Sequence, residues 1–229
     1  MCVPGTSSVG SGNRCNRACC LCGSYGSPSS GELNLMSGFL HTIMGPMFSG
    51  KTSLLLHELE RFSRSGKRVI LFTADQRSDD PVVHSRRPLY DGIVVSRCRE
   101  PAGVFDTAGR YDVVGVDEIQ FYPLDIVWVL SRLAEEGKAV LVSGLDQDFR
   151  GHPFETTLAL VTESEKITRL TSVCQRCGSQ LAIRNFRKVA SSERVLEGAA
   201  EAYEARCRIC MSLEYRAGPK LPFKSTGSN

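Results

Sequence analysis

Gly45-Pro46-Met47-Phe48-Ser49-Gly50-Lys51-Thr52, read as GPMFSGKT, is the stretch that decides the fold. It satisfies G-x-x-x-x-G-K-[ST], the pattern of a loop that cradles phosphate. Residues 38–44 before it, GFLHTIM, are apolar enough for a buried strand. Residues 53–62 after it, SLLLHELERF, carry apolar side chains at helical spacing. In that context Gly45 and Gly50 let the backbone curl until successive N–H groups face one anion. Pro46, Met47, Phe48 and Ser49 wall the cradle between them, and the helix N-terminus adds its partial positive charge. Lys51 can reach the terminal phosphates of a nucleoside triphosphate, and the Thr52 hydroxyl can ligate Mg²⁺.

Outward from the loop, strands and helices alternate. Val69-Ile70-Leu71-Phe72 reads as a second buried strand, residues 111–118 as a third ending in Asp117-Glu118, and residues 139–144 as a fourth. Residues 101–108 and 123–136 read as helices. Residues 75–97 are polar, basic and broken by Pro81 and Pro88, which predicts an exposed excursion. The alternation predicts an α/β fold, a RecA-like parallel sheet flanked by helices. Such sheets bind ligands at the carboxyl ends of their strands. The glycine loop, Asp117-Glu118 and Gly144-Leu145-Asp146 all fall there.

A buried apolar strand ending in Asp-Glu is the Walker B pattern, in which the Asp holds Mg²⁺ opposite the loop hydroxyl. Neighbouring strand residues face opposite sides, so Asp117 and Glu118 cannot do the same job. Asp117 is expected on the metal side and Glu118 on the acceptor side, as a general base that has to be ionised. The reaction class is then phosphoryl transfer to a hydroxyl or to water.

Of the ten cysteines, Cys174 and Cys177, and Cys207 and Cys210, form two C-x-x-C pairs. Four thiolates make the closed tetrahedral set that zinc takes in structural sites. The 29 residues between the pairs exceed the usual zinc-ribbon interval, so further structure is expected between them. No secretory signal is visible in the sequence, and a reducing, cytoplasmic setting favours metal over disulfides. The reading divides the chain into a disordered leader over 1–37, an α/β domain over 38–171, a small zinc module over 172–217 and a tail over 218–229. No apolar run approaches the ~20 residues of a membrane span. A net charge of +3 gives no electrostatic case for nucleic acid.

Several segments together resemble the type II, cytosolic and bacterial, thymidine kinases. These are GPMFSGKT over 45–52, Asp75-Gln76-Arg77 after the second strand, DEIQF over 117–121 and GLDQDFRGHPF over 144–154. The paired C-x-x-C with Tyr203 four residues ahead of Cys207 is similar to the family's zinc-bearing lasso domain. The resemblance implies transfer of the ATP γ-phosphate to the 5′-hydroxyl of thymidine, with deoxyuridine as a second substrate. It implies Glu118 as the base; Lys51, Thr52 and Asp117 on phosphates and Mg²⁺; and Asp75, Arg77 and Arg150 beside the phosphates. Met47, Phe121, Phe149, Phe154, Leu196, Gly198 and Tyr203 would bind the nucleoside. It also implies a homotetramer inhibited by thymidine triphosphate. GSQLAIRNFR, over 178–187, is about one residue longer than the bacterial pattern. Asn185 is there the nearest counterpart of a family threonine that touches the base.

The alternative is a RecA-type ATPase whose zinc module grips nucleic acid. It would want a second motor domain and a strongly basic face. A regulator that had lost catalysis would be expected to lack Lys51 or Glu118, and both are present.

Overall fold

The computed structural model describes residues 38–74, 92–189 and 202–217, all within one compact unit, Leu35–Asn229. The expected leader and tail, Asp75, Arg77, Leu196 and Gly198 lie outside the described residues.

The main elements run β1 (Phe39–Gly45), α1 (Lys51–Arg64), β2 (Val69–Thr73), β3 (Ile93–Ser96), α2 (Pro101–Ala108) and β4 (Val113–Asp117). A 3₁₀ turn (Ile119–Phe121) follows, then α3 (Ile126–Glu135), β5 (Ala139–Leu145), α4 (Glu155–Glu163) and β6 (Lys166–Arg169). The last part holds β7 (Arg184–Arg187), β8 (Tyr203–Arg206) and α5 (Arg208–Ala217). Six strands form one parallel sheet in the order β3-β2-β4-β5-β1-β6. β7 and β8 form a separate antiparallel pair.

Period-two patterning divides the core. Ile70, Phe72, Val114, Val116, Val140 and Val142 face α2, α3 and α4, where Val104, Ile126, Leu130, Leu133 and Leu160 are fully buried. Val69, Leu71, Val113 and Leu141 face the other way onto α1, through Leu55, Leu56 and Leu59. Gly115 permits this second layer, since a Cβ there would stand 2.6 Å from Leu59 Cδ1. On its outer side α1 carries Glu58–Arg61 and Glu60–Arg64 pairs, worth a few tenths of a kcal/mol each.

Three features depart from the sequence reading. The excursion over 75–97 ends in a strand, β3, whose main-chain pairing to β2 adds a parallel edge; IVVS is apolar but only four residues long, and the polar, proline-broken sequence ahead of it hid the strand. α4 and β6 were not anticipated, because β6 (KITR) is an edge strand that buries almost nothing. β4 stops at Asp117, and Glu118 turns into the left-handed region at φ 55°, ψ 45°. The two acids therefore diverge because the chain turns between them, and simple strand alternation is not the cause.

Candidate functional site

Neighbouring strands β1 and β5 send their chains in opposite directions, β1 through α1 to β2 and β5 through α4 to β6. The crevice at their carboxyl ends is the topological switch point. The glycine loop occupies it, entered through Gly45 (φ 154°) and left through Gly50 (φ 86°). A Cβ on Gly45 would lie 2.5 Å from the Leu170 carbonyl oxygen, so only glycine fits between β1 and the residue after β6. Phe48 holds φ 62°, a conformation that costs a non-glycine residue about 1 kcal/mol. The Ser172 hydroxyl donates to its carbonyl at 3.1 Å, and Met47 N–H donates to Asn185 Oδ1 at 2.8 Å. The Lys51 ammonium folds back over the loop to the Pro46 carbonyl at 2.8 Å, which the Ser49 hydroxyl also meets. Burial lowers the Lys51 pKa, while Glu118, Asp117 and Asp146 raise it.

Opposite the loop, Asp117 is buried at the end of β4. Its Oδ2 accepts from Thr52 Oγ1 at 2.9 Å, and its Oδ1 accepts from the Ser143 hydroxyl and from Glu118 N–H at 3.0 Å. Burial and the charge of Glu118 push the Asp117 carboxyl up to about 6, against these hydrogen bonds. Thr52 and Asp117 are thus hard oxygen donors in contact with each other, a fit for Mg²⁺. The Glu118 carboxylate is half-buried and held by the Gln120 side-chain amide, whose Oε1 accepts from Leu145 N–H at 2.9 Å. Gly144 makes this hook possible, because a Cβ there would meet Ile119 Cγ2 at 2.6 Å and Gln120 Oε1 at 2.7 Å.

The sequence reading did not assign roles to Gln120, Asp146 or Arg187. Asp146, just past β5, pairs with Arg169 at 2.9 Å from across β1, and its buried Oδ1 has no hydrogen-bond partner among the described residues. Its position at a strand end beside the loop was the available signal. Arg187 stacks over the Phe149 ring at 3.8 Å and donates to the Tyr203 hydroxyl at 2.6 Å. No motif marked it, since it lies in a short strand, RNFR, of mostly polar residues.

Of the expected nucleoside residues, Phe149 and Tyr203 gather around Arg187, and Phe154 is buried with its N–H donating to the Asp146 carbonyl at 3.2 Å. Met47 joins them through Asn185, whose Nδ2 donates to the Gln147 carbonyl at 2.9 Å. Phe121 is partly exposed beneath the Arg99 guanidinium, 5.9 Å from its ring centre. Arg150 lines a cavity of about 550 Å³ with Gly151, His152, Arg184, Arg208 and Met211, none of them in the loop or the acid pair.

The four cysteine sulfurs lie within 4.8 Å of one another, with Cys177 Sγ and Cys207 Sγ 3.7 Å apart. A tetrahedral site with Zn–S bonds of 2.3 Å needs an S···S edge of about 3.8 Å, so the set fits zinc. Burial works against the Cys174 thiolate, but backbone N–H groups of Cys207, Arg176 and Cys177 outweigh it and bring its pKa down to about 6. Among the described residues no helix is long and apolar enough to cross a membrane.

Comparison with known proteins follows the same outline. A family model described as thymidine kinase matches residues 38–211. A thymidine kinase of Pyrobaculum aerophilum is 39% identical over 178 residues, 74% of this chain and 96% of that protein. A thymidine kinase of Thermococcus kodakarensis is 38% identical over 182 residues, 75% of this chain and 92% of that protein. Thymidine kinase 1 of Dictyostelium discoideum is 35% identical over 187 residues, 80% and 82% of the two chains.

Proposed function

This chain belongs to the thymidine kinase family, and from that premise we propose how its residues move the γ-phosphate of ATP to the 5′-hydroxyl of thymidine. Phosphorylation of thymidine in salvage is the family's activity and the activity of this chain. The observation that carries the residue assignment is the Thr52–Asp117 contact at 2.9 Å, with Glu118 turned away from it by its left-handed backbone.

In this reading the amides over 48–52 hold the ATP phosphates. Lys51 exchanges the Pro46 carbonyl for phosphate oxygens. Thr52 and Asp117 hold Mg²⁺, which when bound neutralises charge on the phosphates. Glu118, steadied by Gln120, takes the proton from the 5′-hydroxyl as that oxygen attacks phosphorus and ADP leaves. Met47, Phe149, Phe154 and Tyr203 bind the flat base and sugar, a role supported by the clustering of the two rings about Arg187. Asp75, Arg77 and Arg150 are assigned to the phosphates, and Phe121, Leu196 and Gly198 to the nucleoside, on the family resemblance. The same resemblance supports deoxyuridine as a second substrate, a homotetramer and inhibition by thymidine triphosphate. Zinc on Cys174, Cys177, Cys207 and Cys210 is structural, since four thiolates leave no open position. Keeping those thiols reduced suits a cytoplasmic setting.

The test is to incubate the protein with ATP, Mg²⁺ and separate deoxynucleosides and to quantify monophosphates. Product from thymidine and deoxyuridine alone supports the reading. Comparable turnover of deoxycytidine or purine nucleosides breaks the pocket assignment, and DNA-stimulated ATP hydrolysis without nucleoside product overturns the kinase reading.

A further inference from the structure

We propose that Asn185 is a positioning residue that pins the phosphate-binding loop to the acceptor segment, and that it does not read the base. The inference rests on the site assignment above and deepens it.

Asn185 sits in β7 and is 2% exposed. Its carbonyl accepts from Met47 N–H at 2.8 Å and its amino group donates to the Gln147 carbonyl at 2.9 Å. A backbone N–H only donates and a backbone carbonyl only accepts, so these partners fix which end of the amide is which. With both ends engaged and the residue buried, little of the amide is left for a base edge.

Each partner is itself anchored. Met47 precedes Phe48, where the loop takes its left-handed turn and where Ser172 adds a second tie. Gln147 lies between Asp146 and Phe149, bridges to Pro153, and donates its side-chain amide to the Ile183 carbonyl at 2.6 Å. On the far side, Asn185 pairs with Ala205 in β8, and Ala205 packs among Cys174, Cys207 and Cys210. A continuous set of contacts therefore runs from the thiols through Ala205 and Asn185 to Met47. Asparagine suits the post because it offers a donor and an acceptor at one reach. Aspartate has the same shape but no donor, and it sets two oxygens against each other at Gln147. Threonine carries a donor and an acceptor on one hydroxyl, but at a shorter reach than the amide, so it meets the two partners less well.

A residue acting in this way changes rate and affinity without changing choice of substrate. Asn185→Asp and Asn185→Ala are expected to lower kcat/KM for thymidine roughly 10- to 100-fold, as misplacement of a bound substrate does. KM should rise for ATP and for thymidine together. The ratio of kcat/KM among thymidine, deoxyuridine and deoxycytidine should stay within about twofold, and Asn185→Thr should recover part of the loss. A shift of that ratio beyond about tenfold, with loop order intact, would show that Asn185 reads the base and overturn the proposal. Hydrogen exchange supplies a readout that needs no catalysis, and its wild-type arm needs no variant. In the ligand-free wild-type protein Met47 N–H should exchange more slowly than the N–H groups of Phe48 and Ser49, and Asn185→Ala, which removes the acceptor, should abolish that protection. Fast exchange at Met47 in the wild type overturns the tie whatever the substrate is. If the protein phosphorylated no nucleoside, slow exchange there would still hold, and the site assignment alone would fall.

Discussion

Gly115→Ala places one methyl group in the layer between β4 and α1. Its Cβ would stand 2.6 Å from Leu59 Cδ1, 3.2 Å from Leu59 Cδ2 and 3.1 Å from Leu71 Cδ1. Carbon atoms prefer 3.5–4.0 Å, so the shortfall at the closest contact is about 1 Å. Leu59 and Leu71 are both fully buried. The load falls on α1, which starts with Lys51 and Thr52, and on β4, which ends at Asp117. Overpacking of this kind costs about 1–3 kcal/mol. For a domain of this size that is a fall in Tm of roughly 2–12 °C. The Thr52–Asp117 contact should loosen as α1 moves off the sheet, with kcat falling by up to roughly 10²-fold. Leu59→Val alone should cost about 1 kcal/mol. Combined with Gly115→Ala it makes room for the new methyl, so the double variant should be more stable than the sum of the singles predicts by about 1 kcal/mol or more. Urea denaturation of the four proteins, with kcat measured on each, closes the cycle. Strict additivity, or an unchanged Tm in Gly115→Ala, would refute the reasoning.

Other perturbations test other parts of the molecule. Burial, and then the charge of Lys166 against the smaller pull of Glu58, lower the His41 pKa from 6.5 to about 4, with Thr168 Oγ1 at 2.9 Å from its ring. The unfolded chain then binds the extra proton first, so stability is lost as pH falls through 6.5 toward 4, by about 2 kcal/mol between pH 7 and pH 5. His41→Gln should flatten that part of the stability profile measured in urea, and an unchanged profile contradicts the assignment. Asp117→Asn should abolish turnover yet raise the ligand-free stability by up to about 2–3 kcal/mol at pH 7.5, because a carboxyl held near 6 is costly to ionise there; a destabilised variant would show that its hydrogen bonds outweigh burial. Cys207→Ser should lower bound zinc below one per chain and unfold the β7–β8 pair, seen as lost amide protection at Ala205, and full metal content would exclude this thiol as a ligand.

Much of the sheet could be read because its central strands are almost wholly apolar. Residues 69–72, 113–116 and 139–142 bury every side chain or nearly so, and their helices carry apolar residues at matching spacing. The edges were harder to read. β3 and β6 are held by main-chain pairing to one neighbour, and apart from the buried Ile93 their side chains are exposed or only half-buried. In the C-terminal module, RNFR and YEAR carry little apolar pattern, and the order comes from cysteine spacing, which fixes four sulfurs without revealing the strands between them. At the site, the loop and Asp117-Glu118 were legible as motifs. Gln120, Arg187 and the engagement of Asn185 were not, since each depends on contacts between segments at least 16 residues apart or on a turn geometry. The aromatic residues fall between these cases: Phe149 and Tyr203 are 54 positions apart and became neighbours only through Arg187.

The central claim is that Glu118, turned out of β4 beside the Thr52–Asp117 pair, takes the proton from the 5′-hydroxyl of thymidine. Single-turnover formation of thymidine monophosphate by Glu118→Gln, with the affinities for ATP and thymidine measured on the same protein, tests it most directly. A fall of roughly 10²- to 10⁴-fold in the chemical step, with both affinities held within a few fold, is the expected result. A chemical step within threefold of wild type would contradict it and move the base to another residue.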